Sequence, residues 1–317
     1  MWQTGGNFPK GESFPLFSFD GFPEKEDGQS AFWSGKPCSI LFLERMESVM
    51  ENLIVLGTGN ALATHCYNTC FAIDDGSEAV LVDAGGGNGI LSRLEQAEVN
   101  PARIHHLIVT HEHCDHLLGV VWMVRKIGTL IRNGKYEGNL HLYCHDGLVE
   151  PIKAICGYTL QKKFTSLFGE RIIFHPVEDG QRENLAGKET VFFDIHSTKA
   201  RQFGFSMTLS NGSVLTCLGD EPYNPLCEGY VKGCRWLLCE AFCLYGDRER
   251  FKPYEKHHST VREACQLAAE LEVPNLVLWH TEDSDIPHRK ERYTAEGRTF
   301  YHGNLLVPDD LDVIELK

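Results

Sequence analysis

The sequence predicts an α/β (α+β) protein in which two mixed sheets pack face to face, with helices outside. Short β-branched runs bounded by glycine and asparagine come first as hairpins and then alternate with helical patterns, and this order occurs twice. The 317 residues are 42% hydrophobic, as expected of a chain with a large core. These two observations favour one large domain over residues 51–317.

Residues 1–50 differ from this domain. The stretch "NFPKGESFPLFSFDGFPEKEDG" is rich in glycine, proline, serine and phenylalanine, and its apolar residues follow neither a strand nor a helix period. We therefore expect residues 1–50 to form an irregular, poorly ordered leader.

The first half of the domain predicts four strands and two helices. "NLIVLG", "TCFAID" and "AVLVDAG" have strand patterns, and "GILSRLEQAEV" has a helical one. The strand "IHHLIVT" then runs into "VTHEHCDH" at residues 109–116, and "HLLGVVWMVRKIGTLI" follows as a helix. The His/Asp cluster therefore lies between a buried strand and a helix, where catalytic loops of α/β proteins are found.

The second half repeats this style. Strand patterns occur in "NLHLYC", "RIIFHPV", "TVFFDIHS", "FGFSMTLS", "SVLTCLGD", "GCRWLLCEAF" and "PNLVLWH". Helical patterns occur in "GLVEPIKAICGYTL" and "STVREACQLAAEL", the second opened by a Ser/Thr cap.

Charge and composition restrict the partners. With 30 Lys and Arg against 44 Asp and Glu, the net charge of −14 repels phosphate backbones at long range, so a nucleic acid needs a local basic patch or bound metal. The absence of an apolar run of 18 residues argues against a membrane span. Twelve dispersed cysteines without a signal-peptide pattern favour a reducing cytoplasm.

The spacing within "VTHEHCDH" suits two metal ions. His111 and His113 are two residues apart and can point the same way, while Asp115 and His116 follow on the turn toward a second point. Zinc favours imidazole and carboxylate ligands. Two zinc ions roughly 3.5–4 Å apart can bind both the attacking and the leaving oxygen of a displacement reaction. The metalloprotease pattern H-E-x-x-H does not fit, and a loop of solvated histidines is the plain alternative.

A metal site also needs ligands from elsewhere in the chain. His196 ends "VFFDIH", Asp220 ends "SVLTCLGD" and His280 ends "NLVLWH", so three apolar strands each deliver one such group. A single strand-end histidine is more often a surface residue, but together with the cluster these residues complete a candidate set of seven ligands.

These motifs resemble the metallo-β-lactamase superfamily. "THEHCDH" fits its T-H-x-H-x-D-H signature, "LVDAG" its aspartate motif and "LGTGNA" its opening strand. Within residues 52–316, "HSTKARQFGF", "LGDEP", "CEAF", "HHST", "LVLWH" and the tail "FYHGNLLVPDDLDVIEL" are similar to the ribonuclease Z branch.

The resemblance implies an αββα sandwich and a dinuclear centre, with two Zn²⁺ expected and Mn²⁺ or iron as alternatives. It places the first ion on His111, His113 and His196. The second would be held by Asp115, His116 and His280, with Asp220 bridging.

The resemblance also assigns the chemistry. A metal-bound hydroxide would attack phosphorus or a carbonyl carbon, Asp115 would orient it and accept its proton, and His258 would protonate the leaving oxygen. Glu240 is expected to orient a histidine, and Asp83 to support the metal loop by hydrogen bonding. The plain alternatives are a helix-cap histidine at 258 and a solvated strand-end carboxylate at 240.

The sequence gives no chemical role to Cys114 or to the other histidines. Cys114 is expected to be a buried, inert thiol. His106 comes too early in its strand to reach the metals, and His141 and His175 lack partners at ligand spacing and are expected to be structural or solvated.

One departure from the family pattern concerns the substrate. Only 23 residues separate His196 from Asp220, which leaves no room for the long basic arm with which familiar bacterial ribonucleases Z grip tRNA. The leading hypothesis is a phosphodiesterase acting on an RNA 3′ end or on a small or cyclic nucleotide. A dizinc hydrolase of a non-phosphate ester, lactone or thioester is the alternative, a non-catalytic scaffold comes third, and a homodimer is expected from the resemblance alone.

Overall fold

The structure, a computed structural model, describes residues 50–317. The predicted leader therefore lies outside the described residues, apart from its last residue, Met50. The described chain forms fourteen strands and eight α-helices.

The elements alternate along the chain much as the sequence pattern predicts. The strands are β1 (Asn52–Gly57), β2 (Cys70–Asp74), β3 (Ala79–Val82), β4 (Ile104–Ile108), β5 (Leu140–His145), β6 (Ile172–Val177), β7 (Arg182–Leu185), β8 (Lys188–Asp194), β9 (Phe203–Thr208), β10 (Val214–Cys217), β11 (Trp236–Glu240), β12 (Asn275–Trp279), β13 (Asn304–Leu306) and β14 (Val313–Glu315). The helices are α1 (Gly89–Gln96), α2 (Cys114–Arg132), α3 (Asp146–Thr159), α4 (Lys162–Thr165), α5 (Glu228–Val231), α6 (Arg248–Phe251), α7 (Val261–Glu270) and α8 (Ile286–Gly297).

The strands form two seven-stranded mixed sheets, in the orders β14-β1-β2-β3-β4-β5-β6 and β13-β12-β11-β10-β9-β8-β7. In the first, the pairs from β14 to β3 are antiparallel and those from β3 to β6 are parallel. In the second, the pairs from β7 to β10 are antiparallel and those from β10 to β13 are parallel. The predicted fold class is confirmed.

Large side chains fill the space between the sheets. Phe71 and Trp279 meet there with ring centroids 4.5 Å apart, and Phe192, Phe205 and Leu238 are buried in the same cluster. Burying each such side chain contributes about 1.5–3 kcal/mol, so this layer holds the two sheets firmly together. Separate apolar clusters join the outer faces to the helices, with α2 on the first sheet and α7 on the second.

Helix α8 and strand β7 were not predicted from the sequence, and neither were the short helices α4, α5 and α6. Helix α8 has a largely charged sequence, "IPHRKERYTAEG", and buries Tyr293 and Arg289 rather than an apolar stripe. The guanidinium of Arg289 donates to Thr58 Oγ1, Thr281 Oγ1 and the carbonyl of Pro308, each at 2.9 Å. Strand β7, "RENL", is a polar edge strand whose only buried residue is Leu185. Within residues 50–317, no helix is both long and apolar enough to cross a bilayer.

Candidate metal centre and active site

The cluster "VTHEHCDH" leaves β4 as an extended segment and then starts α2. The amide of Val109 still donates to the carbonyl of Tyr143 at 2.8 Å, and His113 is the residue before the first turn of the helix. The amide of His116 donates to the carbonyl of His113 at 3.0 Å. Asp115 and His116 therefore lie on the first helical turn, opposite the extended residues 111 and 113.

Asp83 holds this loop from beneath, as predicted. Its carboxylate accepts from the amide and the hydroxyl of Thr110, both at 2.8 Å, and lies 2.7 Å from His116 Nδ1. Asp83 has φ +54, a backbone conformation that costs a non-glycine residue energy and is typical of functional sites. Because the carboxylate engages Nδ1 of His116, the proton is expected there, which leaves Nε2 free as a ligand atom.

Candidate ligand atoms from two other segments, residues 111–116 and His280, converge on Asp220 Oδ2. It lies 3.5 Å from His280 Nε2, 3.6 Å from His111 Nε2 and 3.7 Å from His116 Nε2. Asp115 Oδ2 is 3.4 Å from His116 Nε2 and 3.5 Å from His280 Nε2.

These separations fit ions at the centre. Four ligands about 2.0–2.2 Å from a tetrahedral zinc lie roughly 3.3–3.6 Å from one another. Three groups each have their candidate ligand atoms within 4.8 Å of one another: His111, His113 and Asp220; Asp115, His116 and His280; and Glu240, His258 and His280. The first two belong to the predicted set of seven ligands. Within residues 50–317, the buried Nε2 atoms of His116 and His280 have no hydrogen-bond partner, as expected of ligand atoms.

The electrostatics of the group are those of a site built for cations. Burial would lower the pKa of His116, but the carboxylates of Asp83 and Asp115 raise it well above its usual value. Burial would raise the pKa values of Asp115 and Asp220, but the neighbouring histidines hold both well below their usual range. The carboxylates are therefore ionised and can bind a metal ion.

His196 is not brought into this group. It is exposed, with φ +58, two residues beyond the end of β8. The segment that follows is held beside the centre, because Ser197 Oγ donates to Glu221 and Thr198 Oγ1 lies 2.6 Å from His257 Nδ1. The role of His196 as the third ligand of the first ion stays a prediction.

Gln202 lies where sequence reasoning found no functional residue. Its side-chain amide donates to Asp220 Oδ1 at 2.6 Å and lies 2.9 Å from His111 Nδ1. It is buried, one residue before β9. The only signal was its place at the end of "HSTKARQ", directly before an apolar strand.

His258 and Glu240 lie together beside the second group. His258 Nδ1 is 2.9 Å from the carbonyl of Asp220 and 3.7 Å from Glu240 Oε2, and Glu240 also accepts from the amide of Ser259. Burial is the main reason why the pKa of His258 falls to about 3, and burial raises the pKa of Glu240 to about 8. Glu240 thus contacts the backbone that carries His258, at a distance from the ring too long for a hydrogen bond.

The metal centre opens into a cleft of about 340 Å³, here called the metal cleft. It is lined by Asn60, Ala61, Leu62, His113, Cys114, Asp115, Lys199, Asp220, Phe242, Lys256, His258 and His280. The expectation of a buried Cys114 is wrong: it is the first residue of α2 and is exposed. Sequence reasoning also missed Lys199 and Lys256, because isolated lysines in loops carry no recognisable pattern.

Comparison with known proteins agrees with this geometry. Residues 78–281 match the sequence model of the Beta-lactamase superfamily domain. The chain is 23% identical over 274 residues to a Ribonuclease Z of Bacteroides thetaiotaomicron, an alignment that covers 72% of this chain and 84% of the relative.

Solved structures share the fold. The metallo-β-lactamase fold protein YhfI of Bacillus subtilis superimposes with a TM-score of 0.68 at 18% identity, over 84% of this chain and 99% of that one. The short form of human tRNase Z superimposes with a TM-score of 0.64, also at 18% identity, over 84% of this chain and 99% of that one.

The converging carboxylates and imidazoles form a site for divalent metal, at the edge where the strands of both sheets end. Together with the family match, they make the chain a metal-dependent hydrolase. It belongs to the β-lactamase superfamily, in the branch similar to ribonuclease Z.

Proposed function

We propose that this protein is a dinuclear-metal phosphodiesterase that cleaves RNA or a small or cyclic nucleotide. The names of its relatives support hydrolysis of a phosphodiester, and the donor set supports two ions. One ion would be held by His111 and His113, completed by His196. The second would be held by Asp115, His116 and His280, with Asp220 between the two ions.

The donor types favour zinc, which prefers imidazole nitrogen and carboxylate oxygen, although Mn²⁺ or iron would suit the same ligands. When bound, such ions supply Lewis acidity and a hydroxide nucleophile at neutral pH. Elemental analysis of the purified protein would identify the metal and its stoichiometry. A protein that binds no transition metal would contradict the proposal.

The protein's own groups would carry the proton transfers. Asp115, buried and ionised, would orient the attacking water and accept its proton. His258 would donate a proton to the leaving oxygen, because its ring lines the metal cleft with Nδ1 engaged on the Asp220 carbonyl and Nε2 left for the substrate. An anionic diester beside the ring would favour its protonated form. Glu240 would position His258 through the Ser259 amide.

The observation that carries the phosphodiester over a neutral ester is the pair of lysines in the metal cleft. Lys199 and Lys256 line it together with His258. In a chain of net charge −14, two cations at the metal site provide the local positive charge that an anionic substrate needs. A carboxylic ester or lactone would gain little from them.

The test compares two chromogenic substrates, bis(p-nitrophenyl) phosphate and p-nitrophenyl acetate, with and without a chelator. We expect chelator-sensitive cleavage of the diester, reduced about 10²–10⁴-fold in His258→Ala, the range for loss of a general acid. Replacing both Lys199 and Lys256 by alanine should raise KM for the diester about tenfold or more and leave acetate cleavage unchanged. The matched control is Lys163→Ala on α4, remote from the metal cleft. Cleavage of the acetate without the diester would favour the ester hydrolase.

The length of the substrate is a separate question. Residues between His196 and Asp220 form β9 and β10 with a short turn, so no long arm for tRNA occurs there. Cleavage of a pre-tRNA transcript, compared with 2′,3′-cyclic and 3′,5′-cyclic nucleotides, would separate RNA from small substrates. We place the activity in the cytoplasm of the cell and, from the resemblance, in a homodimer, which size-exclusion chromatography with light scattering would test.

A further inference from the structure

A second cleft lies on the other side of His258. It has a volume of about 280 Å³ and is called the side cleft here; its walls include Pro222, Tyr223, Tyr254, Glu263 and Leu267. Among the residues that line either cleft, His258 alone lines both. A ligand that extends past this imidazole from the metal centre would therefore enter the side cleft.

Two chain segments form the boundary between the clefts. Asp220 faces the metal cleft, and Pro222 and Tyr223 face the side cleft. In the other segment Lys256 faces the metal cleft and Tyr254 the side cleft. A phosphate held near Asp220 and Lys256 would thus carry its substituent toward the two tyrosines.

The side cleft suits a flat, uncharged ring. Its lining is mainly apolar and aromatic, and its volume is slightly below the range for sites of drug-sized ligands, about 300–1,000 Å³, as suits a single ring. The carboxylate of Glu263 would repel a phosphate. Its Oε1 accepts from the hydroxyl of Tyr254 at 2.6 Å, which fixes the tyrosine ring although 51% of that residue is exposed.

We propose that the side cleft binds the nucleobase attached to the leaving side of the scissile phosphodiester, with Tyr254 and Tyr223 as its contact surface. This proposal rests on the proposed function, because His258 protonates the leaving oxygen there, so the group bonded to that oxygen lies beyond His258. Bases stack on aromatic side chains whatever their sequence. The two tyrosines would therefore recognise a nucleotide without selecting one base.

The test measures binding rather than turnover. Zinc-loaded protein is titrated with adenosine 3′-monophosphate, adenosine 5′-monophosphate and ribose 5-phosphate, which lacks a base. We expect at least one adenosine monophosphate to bind about 5- to 150-fold more tightly than ribose 5-phosphate, the value of one base stacked on an aromatic ring. Equal affinity for all three would overturn the proposal.

Three variants locate the effect. Tyr254→Ala should abolish the advantage of the adenosine monophosphate, whereas Tyr254→Phe, which keeps the ring and loses the bond to Glu263, should retain most of it. Tyr158→Ala on α3 is the matched control, because Tyr158 is 92% exposed and lines neither cleft. An unchanged advantage in Tyr254→Ala would also overturn the proposal.

The same protein preparations separate the two proposals. Base-dependent binding that is lost in Tyr254→Ala, without hydrolysis of bis(p-nitrophenyl) phosphate, would leave the nucleotide site standing and refute the phosphodiesterase. Hydrolysis of the diester without base-dependent binding would support the phosphodiesterase and refute the nucleobase site.

Discussion

The first sheet carries two histidine clusters, one beyond the end of β4 and one across β4, β5 and β6. Only the first is built to bind metal. The metal centre follows the carboxyl end of β4. The remote cluster comprises His106 on β4, His141 on β5 and His175 on β6. His141 Nδ1 lies 2.8 Å from His175 Nε2, and the rings of His106 and His141 stack with centroids 5.5 Å apart.

The difference is the placement of carboxylates. In the metal centre Asp83, Asp115 and Asp220 face the imidazoles within 2.7–3.7 Å. The remote cluster has Glu78 at 3.4 Å from His106 Nε2, half-buried at the margin. Burial, with the neighbouring histidines, lowers the pKa of His106 to about 4, and burial also lowers those of His141 and His175.

Backbone geometry explains the rest of the contrast. Strand register pairs His106 with His141 and His175 with Tyr143, so the three rings contact one another in turn across three strands. Their nitrogen atoms do not gather around one position as those of the metal centre do. The metal-centre histidines come from a strand exit, a helix start and a second strand end, and so point at one position from several directions. Within residues 50–317, the groups of ligand atoms within 4.8 Å all belong to the metal centre or to His258 beside it.

Removing the shared carboxylate should have the largest effect. Asp220→Ala is expected to lower kcat/KM for bis(p-nitrophenyl) phosphate by about 10³-fold or more, since several kcal/mol of transition-state stabilisation depend on the ions. His141→Ala in the remote cluster should leave the rate within about twofold. Elemental analysis of both variants would show metal lost only from the first. Equal loss in both would erase the distinction between the clusters.

Changing the carboxylate behind a ligand should have an intermediate effect. Asp83→Asn replaces the charge at His116 Nδ1 by an amide and is expected to lower metal affinity about 10–100-fold, as for other groups that orient metal-binding histidines. A chelator competition with zinc measures this. Glu78→Gln, the corresponding change beside His106, should leave the affinity unchanged, and a matching loss there would count against the contrast.

The remote cluster should instead control acid stability. An unfolded His106 has a pKa near 6.5, and the folded value is about 4. Between these pH values the unfolded chain takes up a proton that the folded protein does not, so the free energy of unfolding falls as the pH drops through this window. We expect His106→Gln to remove about 1–2 kcal/mol of that fall, after allowance for solvent screening. Urea denaturation of the metal-loaded wild type and variant at pH 7 and pH 4.5 measures this difference. An equal fall in the free energy of unfolding in the two proteins would contradict the prediction.

The sequence predicted the parts of the site that depend on local spacing and on strand ends. His111, His113, Asp115 and His116 lie within six residues, and Asp220 and His280 end apolar strands, so their convergence follows from the sheet order. The third strand-end residue, His196, shows the limit of that reasoning. Its position depends on how the loop after β8 turns, which the contacts of Ser197 and Thr198 decide.

Other features depend on tertiary contacts that no short window contains. Gln202, Lys199 and Lys256 reach the site from loops whose course is set by distant partners. Helix α8 was missed because it is held in place by the buried guanidinium of Arg289. This group donates hydrogen bonds to Thr58, which lies 231 positions earlier in the chain, and to Thr281, which lies 8 positions earlier. The histidines of the remote cluster are far apart in the chain, and the pairing of β4, β5 and β6 in the sheet makes them neighbours.

The origin of the ligands in both sheets has a mechanical consequence. His111, His113 and His116 follow β4 of one sheet, while Asp220 and His280 follow β10 and β12 of the other. An ion shared among them would cross-link the two layers of the sandwich, so occupancy adds to folding stability by mass action, about 4 kcal/mol at a free metal concentration a thousand times Kd. Thermal denaturation midpoints should therefore rise with zinc activity, and cellular metal supply would set the lifetime of the folded chain as well as its catalytic rate.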